Sequence, residues 1–166
     1  MANALFIDPE DVVKNTLIDG SLDRDKLTQF IYLSQQKDVR GYLGTDLYDK
    51  ISADIVAGTL AGVYLSLNTT YIQPFLIHSS MSMFLPFAGY ILGNGGVFKH
   101  QPNEAQAVEQ TEVDALSEQH RNHSEYFAEL LIKHLCENST LYPEYTTNSG
   151  DDIDPNKESN PTNWVL

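Results

Sequence analysis

Three histidines, His120, His123 and His134, are the side chains best suited to chemistry in this 166-residue chain. The three-residue spacing puts His120 and His123 on one face of a helix, and His134 follows three turns later on roughly the same face. Imidazoles so placed can ligate a metal or titrate together near neutral pH. The sequence has neither His-Glu-x-x-His nor paired Glu-x-x-His, the usual metal signatures on helices. All three lie on or beside an apolar stripe with Leu116, Phe127 and Leu130. They are therefore expected to pack in a helix interface, bonded to Ser, Tyr or backbone, with a small helical metal-binding protein or enzyme, or a pH-sensing cluster, as the alternative. Cys136 and His134 are two apart and point away from each other on a helix, as do the close neighbours His78, Ser79 and Ser80. Gly93-Asn94-Gly95-Gly96 lacks the Lys-Ser/Thr of a phosphate loop and reads as a turn. Carboxylates are plentiful but fall on faces that read as solvated, where no pKa shift is expected. No catalytic, cofactor or metal site is expected.

The elements that would position these residues are all helical. Asp8-Pro9-Glu10-Asp11 is a helix start, with Asp8 as cap and Pro9 in the first position. A second helix, capped at Ser21 or Asp23, carries Leu27, Phe30, Ile31 and Ser34 on one face and stops between Gly41 and Gly44. Thr45 is placed to cap the next helix, whose stripe is Leu47, Tyr48, Ile51 and Ile55. Gly58 and Gly62 bound a turn, and Val63 to Leu67 is a short helical piece. A middle helix follows Thr69 and Thr70, tolerates Pro74 in its first turn and is kinked or split by Pro86. A glycine-rich loop, with room for an extended stretch at Val97-Phe98-Lys99, precedes the last long helix, from about Glu104 to Asn138. The apolar side of that helix carries Val113, Leu116, Phe127, Leu130, Leu131 and Leu135. Its other side is acidic, with Glu112, Glu118 and Glu125 prominent. No strong strand alternation appears, so the class is all-α, a compact helical bundle.

Composition bounds the function. Ten basic against 23 acidic residues give a formal charge of −13, unsuited to gripping nucleic acid but compatible with DNA passing nearby unheld. A single cysteine precludes an internal disulfide and makes a reducing compartment the default. The first residues do not read as a signal peptide. Thr70 to Phe98 contains no charged residue, yet His78, Ser79, Ser80, Ser82, Pro86 and Gly89 interrupt it and no basic cluster flanks it. A buried central helix is expected there, and no membrane span.

After Tyr145 the sequence becomes polar and proline-broken until Trp164-Val165-Leu166. Two regions are expected: a helical domain over 1–145 and an extended C-terminal docking arm over 146–166, too polar to fold alone. Its last three residues are the natural anchor on a neighbouring subunit.

The stretch "LTQFIYLSQQKDVRGYLGTDLYDKI" resembles the head–tail connector proteins of tailed bacteriophages, also called head-completion or portal-adaptor proteins. In that group a long helix ends in a Tyr-Leu-Gly or Pro-Leu-Gly corner followed by Leu-Tyr and an amphipathic helix; Leu43-Gly44 and Leu47-Tyr48 match it. Tyr71-Ile72-Gln73-Pro74, Asn94-Gly95-Gly96-Val97, Tyr126 and "NSTLYPEY" match in order, over roughly residues 5–145. The resemblance implies a non-enzymatic virion protein at the head–tail junction, assembled in the bacterial host cytoplasm. It would form a ring, usually twelve-fold, beneath the portal and leave a channel for the genome. Partners would be the portal and other neck or tail proteins, with the acids at Glu112, Glu118 and Glu125 as candidates for the lumen. The residues themselves make Gly41-Tyr42-Leu43-Gly44 a structural corner, one glycine taking positive φ and Tyr42, Leu43, Leu47 and Tyr48 packing it. A monomeric interaction module is the remaining alternative.

Overall fold

Asp8 starts the first helix as its residue type dictates. In the computed structural model, which describes residues 4–16, 24–93, 96–99, 109–148 and 152–158, Asp8 is extended and accepts a hydrogen bond from the Glu10 amide at 2.8 Å. This caps α1, Pro9–Lys14, with Pro9 at the head of the helix, where its missing N–H costs nothing. Ser21 and Asp23 lie outside the described residues. α2, Arg24–Ser34, is tied to α1 by Arg24 and Glu10 and buries Leu27, Ile31 and Ser34. It does not stop at the first glycine. A π turn, Gln35–Val39, carries it into α3, Arg40–Leu43, so that Gly41 is helical and the break falls at Gly44.

α4, Thr45–Ala57, buries Leu47, Tyr48 and Ile51 and ends at a left-handed Gly58. α5, Gly62–Leu67, runs through a second π turn, Asn68–Ile72, into α6, Gln73–Phe84, where the sequence suggests a boundary at Thr69-Thr70. Pro74 explains the wide turn. It cannot donate an N–H, and the Gln73 amide before it reaches back five residues to the Asn68 carbonyl, so the helix widens instead of breaking.

Each π turn opens with a buried amide side chain, and both reach Phe6. Gln35 Oε1 accepts the Phe6 amide at 2.9 Å, while the Asn68 and Gln73 side chains donate to the Phe6 carbonyl at 3.1 and 3.0 Å. Phe6, before α1, thus has both backbone groups satisfied by side chains, and its ring is buried against Tyr48.

α6 is the central helix. Phe75, Leu76, Ile77, Ser79, Ser80, Met81 and Phe84 are all buried, and the remaining side, with His78 and Ser82, is half-buried. It is shorter than the charge-free sequence suggests. Instead of continuing through Pro86, it ends at Phe84 and passes through a 3-10 turn, Leu85–Phe87. Pro86 cannot donate to the Ser82 carbonyl, which instead accepts the Ser117 hydroxyl at 2.7 Å. The chain then forms an antiparallel hairpin of β1, Tyr90–Gly93, and β2, Gly96–Lys99, with Tyr90 opposite Lys99 and Gly93 opposite Gly96. The expected extended stretch at Val97-Phe98-Lys99 is β2; its partner β1 is not marked by alternation. The other elements among the described residues are helical.

α7, Gln110–Glu137, begins later than expected, with Glu109 and Glu112 forming a reciprocal capping box; Glu104 lies outside the described residues. Its buried face is Ser117, Ser124, Ala128, Leu131, Ile132 and Leu135. Leu116, expected in the stripe, is 47% exposed, whereas Val113, Phe127 and Leu130 are half-buried. The small residues Ser117, Ser124 and Ala128 let α7 lie close along α6, the most extensive helix pairing in the fold. A 3-10 turn, Ser139–Leu141, leads to α8, Pro143–Thr147, with Tyr142 and Tyr145 buried. Among the described residues no single helix is long and apolar enough to cross a membrane; α4 with 62–87 passes only as a pair bent by 101°.

Candidate functional site

The corner is assembled from local backbone chemistry. Gly44 sits at φ 75°, ψ 164°, a region essentially reserved for glycine. Its amide closes α3 on the Arg40 carbonyl at 3.0 Å and its carbonyl opens α4 by accepting from Tyr48 at 3.1 Å. Tyr42, Leu43, Leu47 and Tyr48 are buried around it, Tyr42 edge-on to Phe75 with ring centroids 5.5 Å apart.

Thr45 does not cap α4; it is the first helical residue. The orphan donors of the first turn are met from the far end of the chain. The Thr45 amide donates to the Ile153 carbonyl at 3.1 Å, the Ile153 amide returns a bond to Thr45 Oγ1 at 3.2 Å, and the Asp46 amide donates to Asn148 Oδ1 at 3.2 Å. One step on, the Asn156 amide donates to the Gly41 carbonyl at 2.8 Å. The expected boundary at 145/146 therefore shifts. Thr146 and Thr147 complete α8, and 152–158 lies on its own domain rather than standing off as an arm. Trp164, Val165 and Leu166 lie outside the described residues.

Beside the corner, α2, α3, α6 and α7 enclose an open groove of about 640 Å³. One end is apolar, with Phe30, Leu33, Met83 and Phe87; the other is polar, with Lys37, Asp38, Tyr42, Arg121 and Glu125. At its floor, Ser34 Oγ donates to Ser79 Oγ at 2.8 Å and Ser79 Oγ donates to Asp38 Oδ2 at 3.0 Å. Burial raises the Asp38 pKa, opposed by the Ser79 bond and the Lys37 charge. Burial also raises the Tyr42 pKa, helped by the charges of Asp38 and Glu125. Asp38 is thus an exception to the expectation that carboxylates here lie on solvated faces. Nothing in its sequence neighbourhood marks it, because its partner Ser79 is 41 residues away.

The three acids of α7 do not share one environment. Glu112 is exposed and committed to the capping box, Glu118 is exposed, and Glu125 is half-buried in the groove wall.

The histidines divide differently from their spacing. His134 stacks on Tyr71 with centroids 4.3 Å apart, and its Nε2 lies 3.0 Å from the Tyr142 hydroxyl, a packed and bonded imidazole as expected. His120 and His123 instead gather around His78 of α6: Nδ1 of His78 is 3.0 Å from Nδ1 of His120, and the His78 and His123 centroids are 5.1 Å apart. That Nδ1–Nδ1 bond needs one protonated and one bare nitrogen. Burial lowers the His78 pKa to about 4, with the charges of His120 and His123 adding to it, and burial lowers His120 as well. The set His120, His123 and His134 is therefore not brought together, and no group of three or more metal-ligating side chains is found among the described residues. Cys136 is exposed, its sulfur 3.7 Å from the Tyr145 hydroxyl.

The chain belongs to a family of unknown function, DUF6712, whose model matches residues 39–154. No curated protein and no solved structure matches it. The matched region runs from the end of the first π turn to just past Ile153, so it contains both the corner and the residues that cap it.

Proposed function

We propose that this member of the family is a structural virion protein, a ring-forming adaptor that joins the portal of a phage head to the tail and leaves a channel for DNA. The observation that carries the reading is the corner. The residues on which the resemblance rests, Leu43, Gly44, Leu47 and Tyr48, form one buried unit, locked by backbone bonds from Ile153 and Asn156. A subunit that transmits load between two assemblies needs such a rigid, cross-braced body. A net charge of −13, with Glu112 and Glu118 exposed on α7, suits a wall that DNA slides past without binding. In this reading the chain is no enzyme and needs no cofactor. Its partners are the portal and neck proteins, its ring is twelve-fold, and Trp164-Val165-Leu166 docks on the portal or the next adaptor.

Electron microscopy of the chain mixed with the portal protein encoded in the same genome tests the proposal. The expected result is a ring of this chain coaxial with the portal. A chain that stays monomeric by mass in the presence of that portal, and is missing from purified particles, overturns it.

A further inference from the structure

His78 of α6 and His120 of α7 meet nitrogen to nitrogen, Nδ1 to Nδ1 at 3.0 Å, across the most extensive helix pairing in the fold. Both residues are half-buried and His123 beside them is exposed, so the pair lies within reach of solvent. The Phe127 ring lies parallel to that of His78, 5.7 Å between centroids, and steadies its plane. Burial holds the His78 pKa down at about 4, and the charges that add to it are those of the other two imidazoles. Burial lowers His120 as well. At neutral pH both rings are therefore uncharged, the form in which an imidazole nitrogen ligates a metal.

Between themselves the two rings share one proton, one Nδ1 donating and the other accepting. When the donor ring carries that proton on Nε2 instead, both Nδ1 lone pairs are free and no net proton leaves. Imidazole nitrogens sit about 2.0 Å from a bound first-row ion, so two at a right angle are about 2.8 Å apart and two at the tetrahedral angle about 3.3 Å. The observed 3.0 Å falls between them, nearer the right angle. Right-angled sets of nitrogen and oxygen suit copper(II) and nickel(II), and copper(II) stands highest in affinity among the first-row divalent ions. We propose that His78 and His120 form a site for such an ion, copper(II) foremost, held by their two Nδ1 atoms in adjacent positions with water in the rest. Two protein donors are fewer than a closed structural site uses, which leaves the ion open to solvent and exchangeable. His123, its ring centroid 5.1 Å from that of His78, is the spare donor alongside. A bound ion ties α6 to α7. The proposal does not rest on the ring reading.

An exposed thiol reduces copper(II), so the experiment uses the full chain carrying Cys136→Ser. Calorimetric titration with copper(II) at neutral pH is expected to show one equivalent bound. The electron paramagnetic resonance spectrum should be split by two imidazole nitrogens, and the melting temperature should rise with added ion. His78→Gln and His120→Gln each remove one of the two donors and are expected to weaken binding about tenfold or more. His123→Gln should weaken it less, and His134→Gln, about 21 Å along α7 from His120, should leave it unchanged. Should His78→Gln disturb the packing of α6 on α7 by circular dichroism, the nitrogen count and His120→Gln decide. Copper(II) that stays unbound at an equimolar concentration overturns the proposal. So does a spectrum with fewer than two imidazole nitrogens, an affinity that His120→Gln does not change, or a loss that only His123→Gln or His134→Gln produces. Failure to bind a portal leaves these readouts untouched.

Discussion

Gly44 and Gly58 both hold positive φ, at 75° and 68°, yet a side chain would cost differently at the two. Gly58 faces open space, so Gly58→Ala meets only backbone strain, about 1–2 kcal/mol. A Cβ at Gly44 would come within 2.7 Å of Pro155 Cγ, adding an overpacking cost of roughly 1–3 kcal/mol. Denaturant melts of Gly44→Ala, Gly58→Ala and Gly44→Ala with Pro155→Ala are expected to rank Gly44→Ala as most destabilised. The double variant should recover part of the loss; equal losses in the two single variants would show that Pro155 does not press on the corner. The glycine pair was legible in the sequence as a corner, but which glycine breaks the helix was not. Pro155, which lies against the glycine that does, is more than a hundred positions away.

Histidine chemistry belongs to the same scale. His78 is pushed from its ordinary 6.5 to about 4, so the fold prefers it neutral. Its contribution is present above pH 6.5 and is lost as pH falls from there toward 4, where the unfolded chain binds the proton more readily. His120 and His134, also lowered by burial, act with the same sign, while Asp38, raised by burial, acts with the opposite one. The difference between native chain and His78→Gln isolates the site. Melting temperature is expected to fall more steeply on acidification in the native chain, and parallel pH profiles would show that His78 does not titrate as described. Spacing along α7 revealed His120 and His123 as neighbours but not the imidazole from α6 that joins them. One-dimensional periodicity does not register which helices pack together.

Among the described elements, α6 has more buried residues than any other. Phe84 is 5% exposed and packs edge-on against Phe30, with ring centroids 5.5 Å apart. Phe84→Ala is expected to cost about 3–5 kcal/mol, whereas Leu116→Ala, on exposed surface, should fall within about 0.5 kcal/mol of the native chain. Similar melts for the two would contradict the central placement of α6. A charge-free run in an acidic chain made this helix legible. Its true end was not, because Pro86 allows either a kink or a stop, and the Ser117 hydroxyl that takes the freed Ser82 carbonyl comes from another helix. Periodicity did not mark the two π turns: each opens with a buried amide reaching Phe6, a tertiary contact with no periodic trace.

At the scale of the whole molecule, both ends of the described chain fasten the same helical run. Phe6 is held at Gln35, and Ile153 to Asn156 hold Gly41 and Thr45. Truncation after Thr147 is expected to lower stability by about 1–2 kcal/mol through the uncapped first turn of α4 alone. It should also reduce the extra cost of Gly44→Ala over Gly58→Ala to the difference in backbone strain between the two conformations. A truncated chain that melts like the native one would show that the arm only rests on the corner.

The corner has a history as well as a shape. Thr45 and its hydrogen-bonding partner Ile153 are 108 residues apart. At a synthesis rate of roughly 5–20 residues per second, α4 waits several seconds on the ribosome before the residues that finish its first turn even exist. Until Ile153 has been made, the Thr45 amide lacks its partner, so the first turn of α4 is completed only by residues synthesised long after it.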